Sequence, residues 1–372
     1  MRILNINSYY YSSSVHKQLQ KSLIENEIKS ITYAPLARGY IPRDECQYNK
    51  EDNVIKAECY NEIDRYIFHI KHSKIAKNIV DKFDFNDYDC LHAHSLFSNG
   101  YIAMKMKKRY GIPYIVAVRD TDLNTFFRKM IHLRGLGNKI LMEAESIVFL
   151  SKPYKDYLIE RYVKEKYKDL ILRKSYVIPS GIDNFWLENK GSLKTLKSKK
   201  GIRLLHVGAI SKRKNILTTI KAINILREKG YDVKFTIVGK VVDEGVYKDI
   251  QKFDFIKYIP PKPREELLKI YQGNDIFVMP SITETFGLVY SEAMSQGLPV
   301  IYTKGQGFDG QFEDGEVGFA VDCFDADEIA DRIIEVLDDY ETISSKCLHS
   351  VDKFKWDLIS LKYSRIYQKI IN

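Results

Sequence analysis

No window of this sequence approaches the run of about 18 uninterrupted apolar residues that a membrane-spanning helix requires. Cysteine is scarce. Cys46, Cys59, Cys90, Cys323 and Cys347 are five in 372 residues, an odd number without a CxxC pair, which excludes a disulfide framework and leaves reduced thiols as the expectation. Twenty glycines and ten prolines are too few for a collagenous chain. There is no tandem repeat at periods of about 20 to 50 residues. The opening MRILNIN reads as a strand rather than as a charged and apolar leader, so the chain is expected to stay in the cytosol.

What is present is the composition of a soluble globular protein: 45% hydrophobic, 29% charged and 12% aromatic residues, which excludes a mainly disordered chain. A length of 372 residues suits about two domains. The net charge of +9 is unevenly placed. Residues 101–200 hold 22 Lys/Arg against 10 Asp/Glu, whereas residues 301–350 hold 3 against 13. A basic first half suits an anionic partner, and charge alone leaves a lipid headgroup, a nucleotide and a nucleic acid open.

Strand-like apolar runs alternate with helix-period segments from end to end, the pattern of α/β layers with mainly parallel sheets. RILNIN (2–7), SITYA (30–34), YDCLHAH (88–94), PYIVAV (113–118), SIVFL (146–150) and YVIP (176–179) read as strands. Helices are expected near 15–27, 64–83, 99–110 and 152–168. Between about Asn184 and Lys200 the apolar period gives way to Lys, Ser and Gly, the signature of a linker. The rhythm restarts with IRLLHVG (202–208), VKFTIVG (233–239), FIKYI (255–259), DIFVMP (275–280) and PVIYT (299–303). The expected organisation is one Rossmann-like domain over 1–183, a linker over 184–200, a second such domain over 201–355 and a terminal helix over 356–372. Ligands of such sheets sit beyond the carboxyl ends of the strands, so the chemistry is expected in a cleft that both domains face.

The most informative stretch is SITETFGLVYSEAMSQGLPV (281–300), directly after a strand. A helix beginning near Thr285 would leave the N–H groups of Phe286, Gly287 and Leu288 free in its first turn, and Gly287 would let a ligand approach the backbone. That is an anion site suited to a diphosphate. Glu284 and Glu292 bracket it, about 12 Å apart along an ideal helix. Two isolated glutamates are as readily a favourable acid at a helix start and a solvated side chain. Their surroundings weigh against that.

With its Glu, seven residues, Glu spacing, this stretch resembles the signature of family 4 of the retaining GT-B glycosyltransferases. The resemblance extends to VIPSGID (177–183), LLHVGAISKRKNI (204–216), FIKYIPPKPREELLKIYQGNDIFVMPS (255–281) and FKWDLISLKYSRIY (354–367). It implies the GT-B fold and transfer of a sugar from a nucleoside-diphosphate donor with retention of configuration. It implies that Glu292 binds the ribose, that Glu284 contacts the transferred sugar, and that the stretch Thr285, Phe286, Gly287 and Leu288 holds the diphosphate. Lys214, six residues after Gly208, falls at the phosphate-binding lysine. The arginine common after that glycine is Ala209 here, which leaves Arg213 to supply the charge; KRK (212–214) taken alone is a solvated basic turn. Tyr258 to Pro260 are expected at the base. GQGFDGQF (305–312) matches the family's second glycine loop, and SYYYSSSV (8–15) stands where family members carry Gly-Gly, with Ser12 to Ser14 as cleft-lining candidates.

In AVRDTD (117–122), Arg119 stands where many members place a sugar-contacting histidine. Arg119, Asp120 and Asp122 are therefore candidates for orienting the acceptor or the sugar. Asp120 and Asp122 also match a DxD metal pattern that Asp87/Asp89 and Asp325/Asp327 repeat, and no metal or other cofactor is expected, because helix dipole and cations stabilise the leaving diphosphate. Cys90, His92 and His94 alternate onto one strand face and read as core, cleft or metal ligands. Residues 123–142 mix Phe126, Phe127, Met130, Ile131 and Leu133 with Arg128, Lys129, Arg134 and Lys139. With KMKKR (105–109) they suggest a basic amphipathic helix on an anionic membrane surface, or a core-packed helix with solvated lysines. The partners expected are a nucleotide-sugar donor, a glycan or lipid-linked acceptor and the inner membrane face, not nucleic acid. Synthesis of surface polysaccharide or lipopolysaccharide is the context the resemblance implies. A catalytically silent partner of another transferase and a polyanion-binding protein stand as alternatives.

Overall fold

The computed structural model describes residues 1–41, 53–196, 198 and 200–371. Cys46 lies outside them; Cys59, Cys90, Cys323 and Cys347 are free and buried. The chain forms two units, one of Met1–Leu150, Lys155–Gly181 and Trp356–Asn372, the other of Ser151–Tyr154 and Ile182–Lys355.

The first unit is built on strands β1 (Arg2–Ile6), β2 (Lys29–Ala37), β3 (Val54–Tyr60), β4 (Cys90–Ala93), β5 (Tyr114–Ala117), β6 (Ser146–Phe149) and β7 (Ser175–Val177). They pair in the order β3-β2-β1-β4-β5-β6-β7, and every pair is parallel. The central strands β4, β5 and β6 are buried throughout, as apolar runs covered on both faces must be. The second unit uses β8 (Gly201–Val207), β9 (Asp232–Val238), β10 (Ile256–Ile259), β11 (Ile276–Val278), β12 (Val300–Thr303) and β13 (Gly318–Val321). Their order is β10-β9-β8-β11-β12-β13, again all parallel. In each sheet the order reverses once, between β1 and β4 and between β8 and β11. Those are the switch points at which doubly wound sheets place ligands.

Strands β3 and β13 are additions to the sequence expectation. Strand β3, VIKAECY, carries Lys and Glu on its outward positions, which hides its apolar alternation. The helix expected over 64–83 runs from Phe68 to Lys82, because Asn61 and Asp64 close a capping box around a short turn, Glu62–Tyr66, ahead of it. The stretch 152–168 is two helices, Lys152–Tyr162 and Glu165–Arg173. The basic segment 123–142 is not one amphipathic helix. It breaks into a wide helical turn, Asp122–Phe127, a tight turn, Ile131–Leu133, and the helix Arg134–Glu143. Phe127 and Leu133 are buried, and Phe126 stacks on Phe97 at 4.5 Å. Much of its apolar side is therefore core.

The terminal helix, Trp356–Ile371, belongs to the first unit. Trp356, Ile359, Tyr363 and Tyr367 pack into one cluster with Ile3, Leu23 and Cys90. Gly181 is required there, because a Cβ on it would meet the Trp356 ring at 2.5 Å. The segment after Ile182 is tied to the second unit. A short helix, Asn184–Glu188, buries Trp186 against Tyr271, and Lys194 Nζ donates to the carbonyls of Gln272 and Asn274.

Candidate active site

In the second unit the polar groups gather at the switch point. After β8 the chain turns through Lys212–Lys214, and Asn215 takes a left-handed backbone (φ 53°) that turns it into the helix Ile216–Glu228. The Asn215 amide donates to the Pro280 and Cys323 carbonyls, and Ile282 N donates to Arg213 O, so the basic turn is fastened to the loop after β11. Lys214 is thereby buried beside that loop. Its Nζ lies 2.5 Å from Glu284 Oε2, with Met279 Sδ at 3.4 Å. Arg213 donates to Thr283 O at 2.7 Å and reaches to within 3.7 Å of Glu284. One carboxylate thus holds two cations at the mouth of the sheet.

Close backbone packing permits this. A Cβ on Gly208 would meet His206 Nε2 at 3.3 Å and Lys214 Cε at 3.4 Å, and one on Gly239 would run into the Gly208 carbonyl. His206 is fully buried, and burial, with Lys214 nearby, lowers its pKa to about 3. It is a neutral wall of the site.

The helix expected from Thr285 starts at Leu288 and ends at Ser295. Gly287 is its N-cap in left-handed conformation (φ 75°), and the Tyr290 ring lies where a Cβ on Gly287 would go. Tyr290 in turn donates to Met279 O at 2.6 Å, which locks the entry angle. The ideal-helix spacing of Glu284 and Glu292 does not apply, since Glu284 lies outside the helix. The N–H groups of Phe286, Gly287 and Leu288 nonetheless donate to no group among the described residues. Such unengaged amides at a helix start, flanked by Lys214 and Arg213, are an anion cradle.

The second glycine loop supports it from below. Gln306 accepts from Glu284 N at 3.0 Å, Gly307 N donates to Glu284 O at 2.7 Å, and a Cβ at Gly307 would strike the Thr285 carbonyl. Glu292, on the helix, accepts from Tyr271 OH at 3.1 Å; burial, with Asp183 nearby, pushes its carboxyl up to about 7. Tyr258 OH donates to Gly239 O at 3.2 Å, and Pro260 is exposed beyond β10. Asn215, Met279 and Tyr271 were not singled out from sequence, whereas Gln306 lies in the glycine loop expected there. Of the three, only Asn215, beside Lys214 and before a helix, carried a signal.

The first unit also places polar groups at its switch point, but from distant loops. Arg119 Nε donates to His94 O at 3.1 Å, and Tyr9 OH lies 3.1 Å from Thr121 Oγ1. Asp120 is exposed and accepts from Asn124 at 2.7 Å. Asp122 is not available to a ligand. It is fully buried and accepts from the N–H groups of Leu96, Phe97 and Arg119, a loop anchor whose carboxyl burial raises to about 6. Cys90 lies in the core cluster, His92 and His94 stack at 3.9 Å, and His92 Nδ1 is 2.7 Å from Tyr367 OH. Among the described residues no three His, Cys, Asp or Glu side chains gather as metal ligands. Ser12 and Ser14 are exposed; Ser12 closes a turn onto Tyr9 O, and Ser14 begins the helix Ser14–Glu25.

Known proteins resemble this chain in sequence and fold. Residues 190–346 match the family model of glycosyl transferases group 1, and residues 21–184 match that of glycosyltransferase family 4. An uncharacterised glycosyltransferase of Methanocaldococcus jannaschii is 24% identical over 80% of this chain and 79% of its own length. A D-inositol 3-phosphate glycosyltransferase of Pseudarthrobacter chlorophenolicus is 31% identical over 68% of this chain and 64% of its own. Among solved structures, sucrose-phosphate synthase of Thermosynechococcus elongatus superposes with a TM-score of 0.75 at 18% identity, over 99% of this chain and 98% of that one. HepE of Anabaena, solved with UDP and glucose, superposes with a TM-score of 0.70 at 15% identity, over 99% of this chain and 100% of that one. With two doubly wound parallel sheets and both family models matched in sequence, the chain belongs to the family 4 GT-B glycosyltransferases.

Proposed function

We propose that the protein transfers a sugar from a nucleoside diphosphate to a glycan or lipid-linked glycan acceptor, with retention and without a metal ion, in the synthesis of a surface polysaccharide. The observation that carries the donor assignment is the group formed by Lys214, Arg213, Glu284 and the unengaged amides of Phe286 to Leu288. A diphosphate entering it takes the two cations and the amides as partners. Glu284, relieved of part of its pairing, is then free to accept hydroxyls of the transferred sugar, while Glu292 and Tyr271 receive the ribose. The base rests near Tyr258 and Pro260.

As the glycosidic bond to the diphosphate breaks, negative charge grows on the leaving oxygen, where Lys214, Arg213 and the amides are already oriented. The acceptor hydroxyl forms the new bond, and its proton passes to that departing phosphate oxygen, so no separate base is needed. Arg119 and Asp120 are the groups we assign to orienting the acceptor or the sugar. Peripheral membrane contact through Arg128, Lys129 and the exposed Ile131 fits a lipid-linked acceptor. Sedimentation with anionic vesicles tests that part, and protein left wholly in the supernatant at low salt overturns it.

Release of nucleoside diphosphate from a panel of UDP-, GDP-, ADP- and dTDP-sugars, with wild type and Glu292→Ala, tests the reaction. UDP-glucose leads the panel because HepE was also solved with it. Release from one donor that is lost in the variant is expected. No release from any donor favours the silent-partner reading.

A further inference from the structure

Along the outer edge of the second sheet an open groove of about 590 Å³ lies over the first half of β9 and the length of β10. That volume falls within the about 300–1,000 Å³ of small-molecule sites. Parallel sheets are normally covered on both faces, yet here the pairing register sets Arg203 beside Lys234 and Thr236 beside Lys257, so all four share one face. Arg203, Lys234 and Lys257 are exposed on it, and β10 is the edge strand. Phe255 and Ile259 continue the same row of side chains along β10.

The charges in the groove are unequally satisfied. Arg203 is committed to Asp275, with contacts of 2.9 and 2.5 Å, and Arg227 meets Asp254 only at 4.0 Å. Lys234 and Lys257 have no acidic partner among the described residues. We propose that this groove is a binding site for an anionic glycan, its lysines holding the carboxylates of sugar acids.

Three features choose that ligand. Lys234 and Lys257 lie on neighbouring strands and offer two ammonium groups along an extended path. Asp232 and Asp254 border the groove, where they accept sugar hydroxyls. The Phe255 ring carries the Arg227 guanidinium at 4.9 Å, so it is not a free stacking platform of the kind single-stranded nucleic acid uses. Lys234 stands five residues before Gly239, about 16 Å along the strand from the donor-side end. Lys234 is therefore well separated from the diphosphate cradle, and the test below reads glycan retention rather than donor turnover.

The test is affinity electrophoresis of the full chain at neutral pH in gels containing oligogalacturonate, neutral dextran or single-stranded DNA. The proteins compared are wild type, the double variant Lys234→Glu/Lys257→Glu and the charge-matched control Lys77→Glu/Lys82→Glu, each first shown to melt like wild type. Retardation by oligogalacturonate but not dextran is expected, with affinity about ten-fold weaker in the groove variant and unchanged in the control. Equal retardation of both double variants, or none of wild type, overturns the site. Tighter retention by DNA than by oligogalacturonate overturns the ligand. If the groove variant does not melt like wild type, Lys234→Gln/Lys257→Gln replaces it under the same criteria.

Discussion

The second unit draws the centre of its site from two short stretches, 208–216 and 279–292, joined by the Lys214–Glu284 contact at 2.5 Å and braced by the loop that carries Gln306 and Gly307. The first unit assembles its polar groups from three loops, with Tyr9 meeting Thr121 and Arg119 meeting the carbonyl of His94. Both use the switch point of the same strand order, so topology is not what separates them. A diphosphate demands free amides and cations at fixed spacing beside a helix start, which ties residue types to local sequence. The acceptor proposed for the first unit would impose no such local pattern.

The largest expected effect concerns backbone crowding in the second unit. Gly307→Ala must push a Cβ into the Thr285 carbonyl, and we expect it to cost about 3–4 kcal/mol and to abolish nucleotide binding, checked by thermal melting and titration calorimetry. No glycine in the first unit meets backbone so closely; the groups crowding Gly100 and Gly137 below 3.1 Å are side chains.

Lys214→Met comes next. It leaves Glu284 largely buried with Arg213 alone, and loss of one partner of a buried pair costs about 3 kcal/mol. Nucleotide affinity should fall with it. Asp122→Asn sharpens the comparison from the other side. One of the two accepting oxygens becomes an amide NH2 that cannot accept, and the charge is lost, so about 2 kcal/mol of stability should go while nucleotide affinity stays unchanged.

The smallest effect is on pH dependence. Glu292 titrates near 7 in the ligand-free protein because burial disfavours its charge, and ribose hydroxyls favour the ionised form. Nucleotide affinity should therefore fall as pH drops below about 7, by no more than about ten-fold per pH unit. Glu292→Gln should flatten the profile. Without nucleotide the sign is opposite: a raised carboxyl pKa contributes stability fully below the ordinary value of 4.5, and that contribution is lost as pH rises through about 7. Melting temperatures of wild type and variant between pH 4 and 8 check this.

These residues also show what sequence reveals. Both sheets were legible because buried parallel strands are near-continuous apolar runs, and Glu284, Glu292 and Lys214 were legible because their spacing is local. Strand β3 was not, since edge position allowed Lys56 and Glu58 on its outer side, where they pair at 3.0 Å. The start of the helix at Leu288 depended on the Tyr290 ring, a tertiary fact that no capping rule contains. Asp122 read as a ligand-binding acid because sequence does not show which carboxylates backbone amides have already claimed. Tyr271, 21 residues from Glu292, reaches it only through the β11 crossover.

Equilibrium binding of UDP, GDP and ADP to wild type, Lys214→Met and Asp122→Asn tests most directly whether the second unit alone holds the diphosphate. The account predicts that at least one nucleotide binds, about ten-fold or more weakly in Lys214→Met and unchanged in Asp122→Asn. Binding that ignores Lys214, or that is lost with Asp122 in a protein still folded, would contradict it.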